Sequence, residues 1–332
     1  MKKTLLAAFF LVFLSHSAAF SQEKVDQLFF EARGSFSAAL APDESAFRFN
    51  GEHFMFHMLG HLSDNITYRV RHRFTKAVFD KENPLNGTDH LWVNWAPTSK
   101  WDFTFGKHPI LAGGFEWDSA PLDVYYWSGF GQKMWQFYML GVIAAYHPGP
   151  GQRVRLQLCN SPLARGKYNS FNWNLGWYGR MAPWWQTIWT FSLMEDVNRT
   201  NLNMISLGNK FCFGDHYLEL DWTNRAPMSR FSVLKDWSIV AKLNISAGDW
   251  NLFAKGGYDV NTELGAFNAG EPFDVIVVPG TEYAYFGGGV EYYPLKNKIV
   301  RLHGLWYTDN RDKSQNLTVG ASIRLDVIKK TR

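Results

Sequence analysis

The chain has 332 residues, is 46% hydrophobic, 17% aromatic and 19% charged, and carries a formal net charge of +4. A chain this apolar is not disordered, its charge is too small to argue for nucleic acid, and two cysteines cannot build a disulfide scaffold. No apolar run reaches the ~20 residues of a spanning helix, which leaves a large β protein, soluble or in an outer membrane.

Residues 1–21 read as a cleaved export signal. Lys2 and Lys3 form the positive start, Leu5 to Leu14 the apolar run, and Ala19-Phe20-Ser21 the cleavage site before Gln22. Residues 22–332 then form one unit. Its apolar residues recur with period two, the spacing of β-strands and not of helices. In 66–74, Ile66, Tyr68, Val70, His72 and Phe74 share one face, and Thr67, Arg69, Arg71 and Arg73 the other. Segments 237–246 and 316–325 repeat the scheme.

In chain order the spacing predicts sixteen strands: 28–40, 50–62, 66–77, 89–96, 101–108, 134–147, 152–159, 171–181, 185–194, 202–213, 216–223, 237–247, 250–260, 282–293, 299–308 and 315–327. Links after even-numbered strands are short, such as Ser63-Asp64-Asn65, Gly214-Asp215 and Gly248-Asp249. Links after most odd-numbered strands are long, such as 78–88, 109–133, 224–236 and 261–281. That alternation predicts an all-β fold, a transmembrane antiparallel barrel with short periplasmic turns and long outer loops. One face is apolar and aromatic while the other carries charge in nearly every strand, so the polar face should line a water-filled interior. Trp92, Trp95, Trp101, Trp173, Trp177, Trp185, Trp222, Trp250, Tyr292 and Trp306 are expected at the membrane interfaces.

On the interior face, basic residues outnumber acidic ones. The candidates are Arg33, Arg69, Arg71, Arg73, Arg153, Arg155, Arg180, Lys210, Lys242, Lys255, Arg301 and Arg324, with Glu31, Glu219, Asp221, Asp259 and Glu291 against them. Arg69, Arg71 and Arg73 are successive inward positions, ~6.6 Å apart, and make a column that can pass anions from site to site. Arginine suits phosphate or carboxylate because its donors form a planar fork. The link 109–133 is too apolar for a solvated loop and has Gly113-Gly114 to bend on, so it is expected to fold into the barrel as a constriction. It brings Glu116, Asp118 and Asp123 with it.

Three features together resemble the phosphate-selective porin O and P family. They are the arginine column, the Phe105-Gly106-Lys107 strand leading into Gly113-Gly114-Phe115-Glu116-Trp117-Asp118, and the final Leu317-Thr318-Val319-Gly320-Ala321-Ser322-Ile323-Arg324-Leu325. The resemblance implies a general, homotrimeric outer-membrane porin that passes anions along an arginine ladder, which Arg69, Arg71 and Arg73 would form. The chain departs from the family in having only Lys107 and Lys133 flanking the inserted segment, and in ending without an aromatic residue.

No catalytic constellation, cofactor motif or metal site is expected. His53, His57 and His61 lie ~13 Å apart along a strand, too far to share one ion. The reading is therefore a passive channel for small, anionic solutes, in contact with outer-membrane lipid and not with nucleic acid. Two rivals stay open: a barrel of fourteen or eighteen strands that is a substrate-specific channel or an outer-membrane enzyme, and a secreted carbohydrate-binding β protein.

Overall fold

The computed structural model describes residues 24–41, 44–75, 85–134, 137–164, 167–227, 236–261 and 281–330. The expected export signal 1–21 lies outside the described residues, as do parts of the long links after the third, eleventh and thirteenth strands.

Sixteen strands close into one barrel. The first eight are β1 (Val25–Leu40), β2 (Ser45–Ser63), β3 (Ile66–Arg73), β4 (Thr88–Thr98), β5 (Trp101–Pro109), β6 (Tyr138–Tyr146), β7 (Arg153–Asn160) and β8 (Phe171–Ala182). The second eight are β9 (Trp185–Glu195), β10 (Asn201–Phe213), β11 (His216–Pro227), β12 (Asp236–Ala247), β13 (Trp250–Asn261), β14 (Thr281–Tyr292), β15 (Val300–Asp309) and β16 (Gln315–Lys329). Each strand pairs antiparallel with the next, and β1 closes on β16, from Gln27 opposite Lys329 to Leu40 opposite Gln315. Closure leaves no sheet edge, so every ladder is satisfied within the wall. Fourteen- and eighteen-strand barrels are excluded.

The predicted strands all appear, and four differ by four or more residues at one end: β3 stops at Arg73 instead of 77, β11 runs on to Pro227 instead of 223, and β2 and β6 start elsewhere. β2 starts at Ser45 instead of 50, because Ser45 to Phe49 still pair with the end of β1. That extension continues the wall beyond the end of β3, with Phe49 87% exposed. β6 starts at Tyr138 instead of 134, because Gly129–Met134 forms a helical turn. The even-numbered links are tight as expected. Gly214 and Gly248, with φ of +64° and +62°, open two-residue turns that a side chain would strain.

Alternation sets the two faces. Leu207, Ile239, Leu243, Leu252, Leu302 and Leu317 point outward and are exposed, forming the apolar belt that lipid would cover. Trp95, Trp101, Trp173 and Trp250 also face out near strand ends, and Trp250 stacks on Tyr292 with ring centroids 4.4 Å apart. Trp92 is a correction to the expected interface set. It lies in phase with Asn94 on the inner face, lines an interior cavity and donates its Nε1–H to His90 Nδ1 at 3.2 Å. Cys159 and Cys212 are both free thiols.

Candidate functional site

The segment between β5 and β6 lies inside the barrel. Its base is closed by the Ile110 N–H, which donates to the Phe137 carbonyl at 2.9 Å. Gly113, with φ +78°, lets the chain turn where a Cβ would meet Trp117. Gly114 lies flat on the Asp221 carboxylate of β11, leaving no room for a side chain. Asp221 accepts the Phe115 N–H at 2.9 Å and the Glu116 N–H at 2.7 Å, holding the start of the short helical turn Phe115–Asp118.

Further ties fix the rest of the segment. Lys255 of β13 bonds Glu116 at 2.6 Å, and Glu116 also accepts the Ser128 N–H at 2.9 Å. Arg33 of β1 donates to the Leu122 carbonyl at 2.7 Å and the Val124 carbonyl at 3.0 Å. The Tyr125 hydroxyl donates to Glu291 of β14 at 2.6 Å, and the Gly129 N–H to Asp259 of β13 at 3.0 Å. Ile110, Trp117, Tyr126, Phe130 and Phe137 pack against Met194, Met204, Phe253 and Tyr285 of the wall. The apolar composition of the segment thus serves a core inside the barrel, and the polar wall supplies hydrogen-bond partners for its backbone.

Among the described residues, two cavities flank the segment, and a larger, more open space of ≈ 980 Å³, lined by Phe115, Asp118 and Arg153, adjoins it at the turn 147–152. Ser119 and Ala120 line both flanking cavities, so this corner of the chain divides them. Thr67, Arg153, Tyr217 and Asn251, each first or second in its strand, place both cavities toward the short turns.

The first cavity, of ≈ 450 Å³, is strongly basic. Arg69 and Arg71 of β3 meet Arg153 and Arg155 of β7 there, and Asp118 is the single carboxylate. The two arginine pairs, separate in sequence, therefore share one space. Arg153 is committed to Asp102, with both contacts at 2.9 Å, and Asp102 also binds His147 at 2.7 Å. Arg71 lies 3.2 Å from Asp89 and bonds the Tyr138 hydroxyl. Among the described residues Arg69 has no carboxylate in ion-pair range, and neither has Arg155, whose guanidinium lies 5.1 Å from the Tyr178 ring centre. Arg73 stands away from this cavity in a buried ion pair with Asp89. The expected column of three thus presents two guanidinium groups to the open space.

Asp118 is exposed to the cavity yet enclosed by the wall around it. That enclosure pushes its carboxyl above the ordinary range, against the opposing pull of Arg155 and Arg69.

The second cavity, of ≈ 360 Å³, is mixed in charge. Lys210, Lys242, Lys255 and Arg301 face Glu116, Asp123, Glu219, Asp221 and Glu291. Arg301 bonds Asp123 at 2.7 Å, lies 3.3 Å from Glu291 and donates to the Leu122 carbonyl at 2.8 Å. Arg324 lies in neither cavity. It sits near the end of β16, 3.9 Å from the Phe29 ring centre, 3.3 Å from Asp326 and 3.8 Å from Glu31. Of the three segment acids, Asp118 faces the basic cavity, Asp123 the mixed one, and Glu116 is buried under Lys255.

Sequence reasoning passed over Asp89, Asp102 and Glu52, which neutralise Arg73, Arg153 and Arg33. Asp102 shares the inner face with Thr104, and alternation alone locates it. Asp89 is different. Arg71 pairs with His90 while His72 pairs with Thr88, so Asp89 is the extra residue of a β-bulge. The bulge turns inward a side chain that simple counting puts outside.

The model of the family described as phosphate-selective porin O and P matches residues 41–184. No curated protein sequence matches the chain. Among solved structures, the outer membrane channel DcaP of Acinetobacter baumannii superposes with a TM-score of 0.62 at 10% identity, over 92% of this chain and 98% of that one. OprB of Pseudomonas putida gives 0.61 at 11% identity, over 93% and 96%. An anion-selective porin from Comamonas acidovorans gives 0.61 at 9% identity, over 90% and 98%. At such identities the likeness is one of fold. The matched stretch runs from the start of β2 to the turn after β8, and so contains all four arginines of the basic cavity and the whole inserted segment. The chain is a sixteen-stranded barrel of the porin fold that, over residues 41–184, bears out its resemblance to the phosphate-selective porin O and P family.

Proposed function

We propose that the chain forms a water-filled pore in an outer membrane through which small anions diffuse passively. One observation carries this reading: four guanidinium groups and a single carboxylate line one cavity beside the inserted segment. An anion entering there finds Arg69 and Arg155 with their forks uncommitted to any carboxylate, and walls of low polarisability that focus the field. Arg71 and Arg153, already paired, contribute charge at lower net strength. The family match supports phosphate and related oxyanions as the solute class, since a guanidinium fork fits two oxygens of a tetrahedral or carboxylate group.

A homotrimer in outer-membrane lipid belongs to the same reading, with both chain ends at the periplasmic side. The test is single-channel recording of the purified protein in a planar bilayer under a KCl gradient. Stable steps with a reversal potential of anion sign are expected. Absence of steps from protein that stays soluble without detergent would sink the proposal and favour a secreted binding protein.

A further inference from the structure

We infer that the second cavity is a separate subsite for small zwitterions, free amino acids by chemical class, lying beside the arginine cavity and not in series with it. The inference rests on the porin reading and adds a second solute class to it.

Separation comes first. The Ser119-Ala120 corner stands between the two spaces, and the walls come from different strands: β3 to β8 for the basic one, β10 to β15 for the mixed one. The charge balance differs as sharply. Four cations face five carboxylates in the mixed cavity, against four cations and one carboxylate in the other. A lone anion entering the mixed space meets as much repulsion as attraction.

Most of these charges cancel locally. Lys255 is taken by Glu116 at 2.6 Å, Lys210 by Glu219 at 2.9 Å, and Arg301 by Asp123 and Glu291. Two groups open to the cavity retain capacity, whereas Glu219, which also engages its lysine through one oxygen, is only 9% exposed. Among the described residues Lys242 has no carboxylate in ion-pair range, although the strand register sets it between Glu219 and Lys255. Asp123 uses only Oδ1 on Arg301, and its side chain is 52% exposed. A spare ammonium and a spare carboxylate oxygen line one cavity, and the two ends of an amino acid carry the opposite charges. Its carboxylate would sit on Lys242 and its ammonium on Asp123. The rings of Tyr125, Tyr217 and Phe253 line the same space and would cover its carbon skeleton. A neutral polyol brings no charge to either spare group and leaves both unanswered.

The test is osmotic swelling of liposomes carrying the full-length barrel, with serine and erythritol as probes of similar size. Serine should enter faster than erythritol. Lys242→Ala should lower the serine rate relative to erythritol about fivefold, equivalent to about 1 kcal/mol at tenfold per 1.4 kcal/mol. Lys242→Arg, which keeps the charge, should restore most of the difference, and Asp123→Asn should reduce it. Serine entering no faster than erythritol, or both solutes slowing together in Lys242→Ala, overturns the inference while the porin stands. Liposomes that swell with neither solute overturn the porin reading and this inference with it.

Discussion

Asp89 reaches Arg73 only because the β3–β4 ladder skips a residue between them. Both side chains are almost wholly buried, at 1% and 2% exposure, and Asp89 also lies 3.2 Å from Arg71. The bulge converts what would be a lipid-facing acid into the counter-charge of two arginines.

Removing that acid takes from both arginines, in a closed space, the carboxylate they share. Asp89→Ala should destabilise the barrel by about 3–5 kcal/mol, the cost of stranding one partner of a buried pair. Urea unfolding from detergent, followed by the folded-band shift on gels, measures it. A loss below 1 kcal/mol would mean that water reaches the pair freely.

The arginines divide into structural and electrostatic members, and the division is testable. Arg69→Ala and Arg155→Ala should move the reversal potential in a salt gradient toward cation preference, because neither residue has a carboxylate to retain it. Arg73→Ala should move it less and cost stability instead, by about 3–5 kcal/mol for breaking a buried pair. A larger selectivity shift from Arg73 than from Arg69 would contradict the assignment.

Asp118 makes the selectivity depend on pH. Its carboxyl lies above the usual range, so on acidification it takes up its proton before ordinary carboxylates do. Losing that negative charge from the basic cavity should strengthen anion preference as the pH falls. Asp118→Asn should show the stronger preference already at neutral pH and should lack this step. Reversal potentials measured across a pH series decide it.

Asp221 holds the entry of the inserted segment through two backbone N–H groups. Asp221→Ala leaves both without their acceptor, at about 1–3 kcal/mol each. The expected readout is a higher or noisier single-channel conductance. Gly114→Ala should act in the same direction, since a Cβ there lands on the same carboxylate. Conductance unchanged in both variants would mean that other ties alone position the segment.

The outward face is checked separately. Leu207 lies mid-strand in β10 and is exposed. Leu207→Arg should impair assembly by about 2–4 kcal/mol, the midplane penalty for a basic residue. Normal folding into bilayers would place that face elsewhere than in lipid.

Strand positions were legible because a two-residue period survives wherever one face meets water and the other lipid. The inward phase of Arg69, Arg71, Lys242 and Arg301 followed from the same counting. Trp92 belongs to the inner face by its phase and lies in the middle of β4, not at a strand end, so its aromatic character alone is no sign of an interface. What sequence could not show was partnership. Arg33 and Arg301 share the Leu122 carbonyl, and a backbone carbonyl has no residue identity to read. Asp221 meets residues 115 and 116 only because ring closure brings β11 opposite the segment. The bulge at Asp89 breaks the period over one residue, too short a defect to stand out in a pattern.

A hoop of sixteen strands is an elastic object whose cross-section can flatten under lateral load. The segment is tied to Gln157 of β7, Thr190 of β9, Asp221 of β11, Glu291 of β14 and Arg33 of β1, points spread around the wall, much as spokes brace a wheel. Ovalising the hoop requires several of those ties to lengthen together. The same ties that set the size of the openings thus also keep the cylinder round.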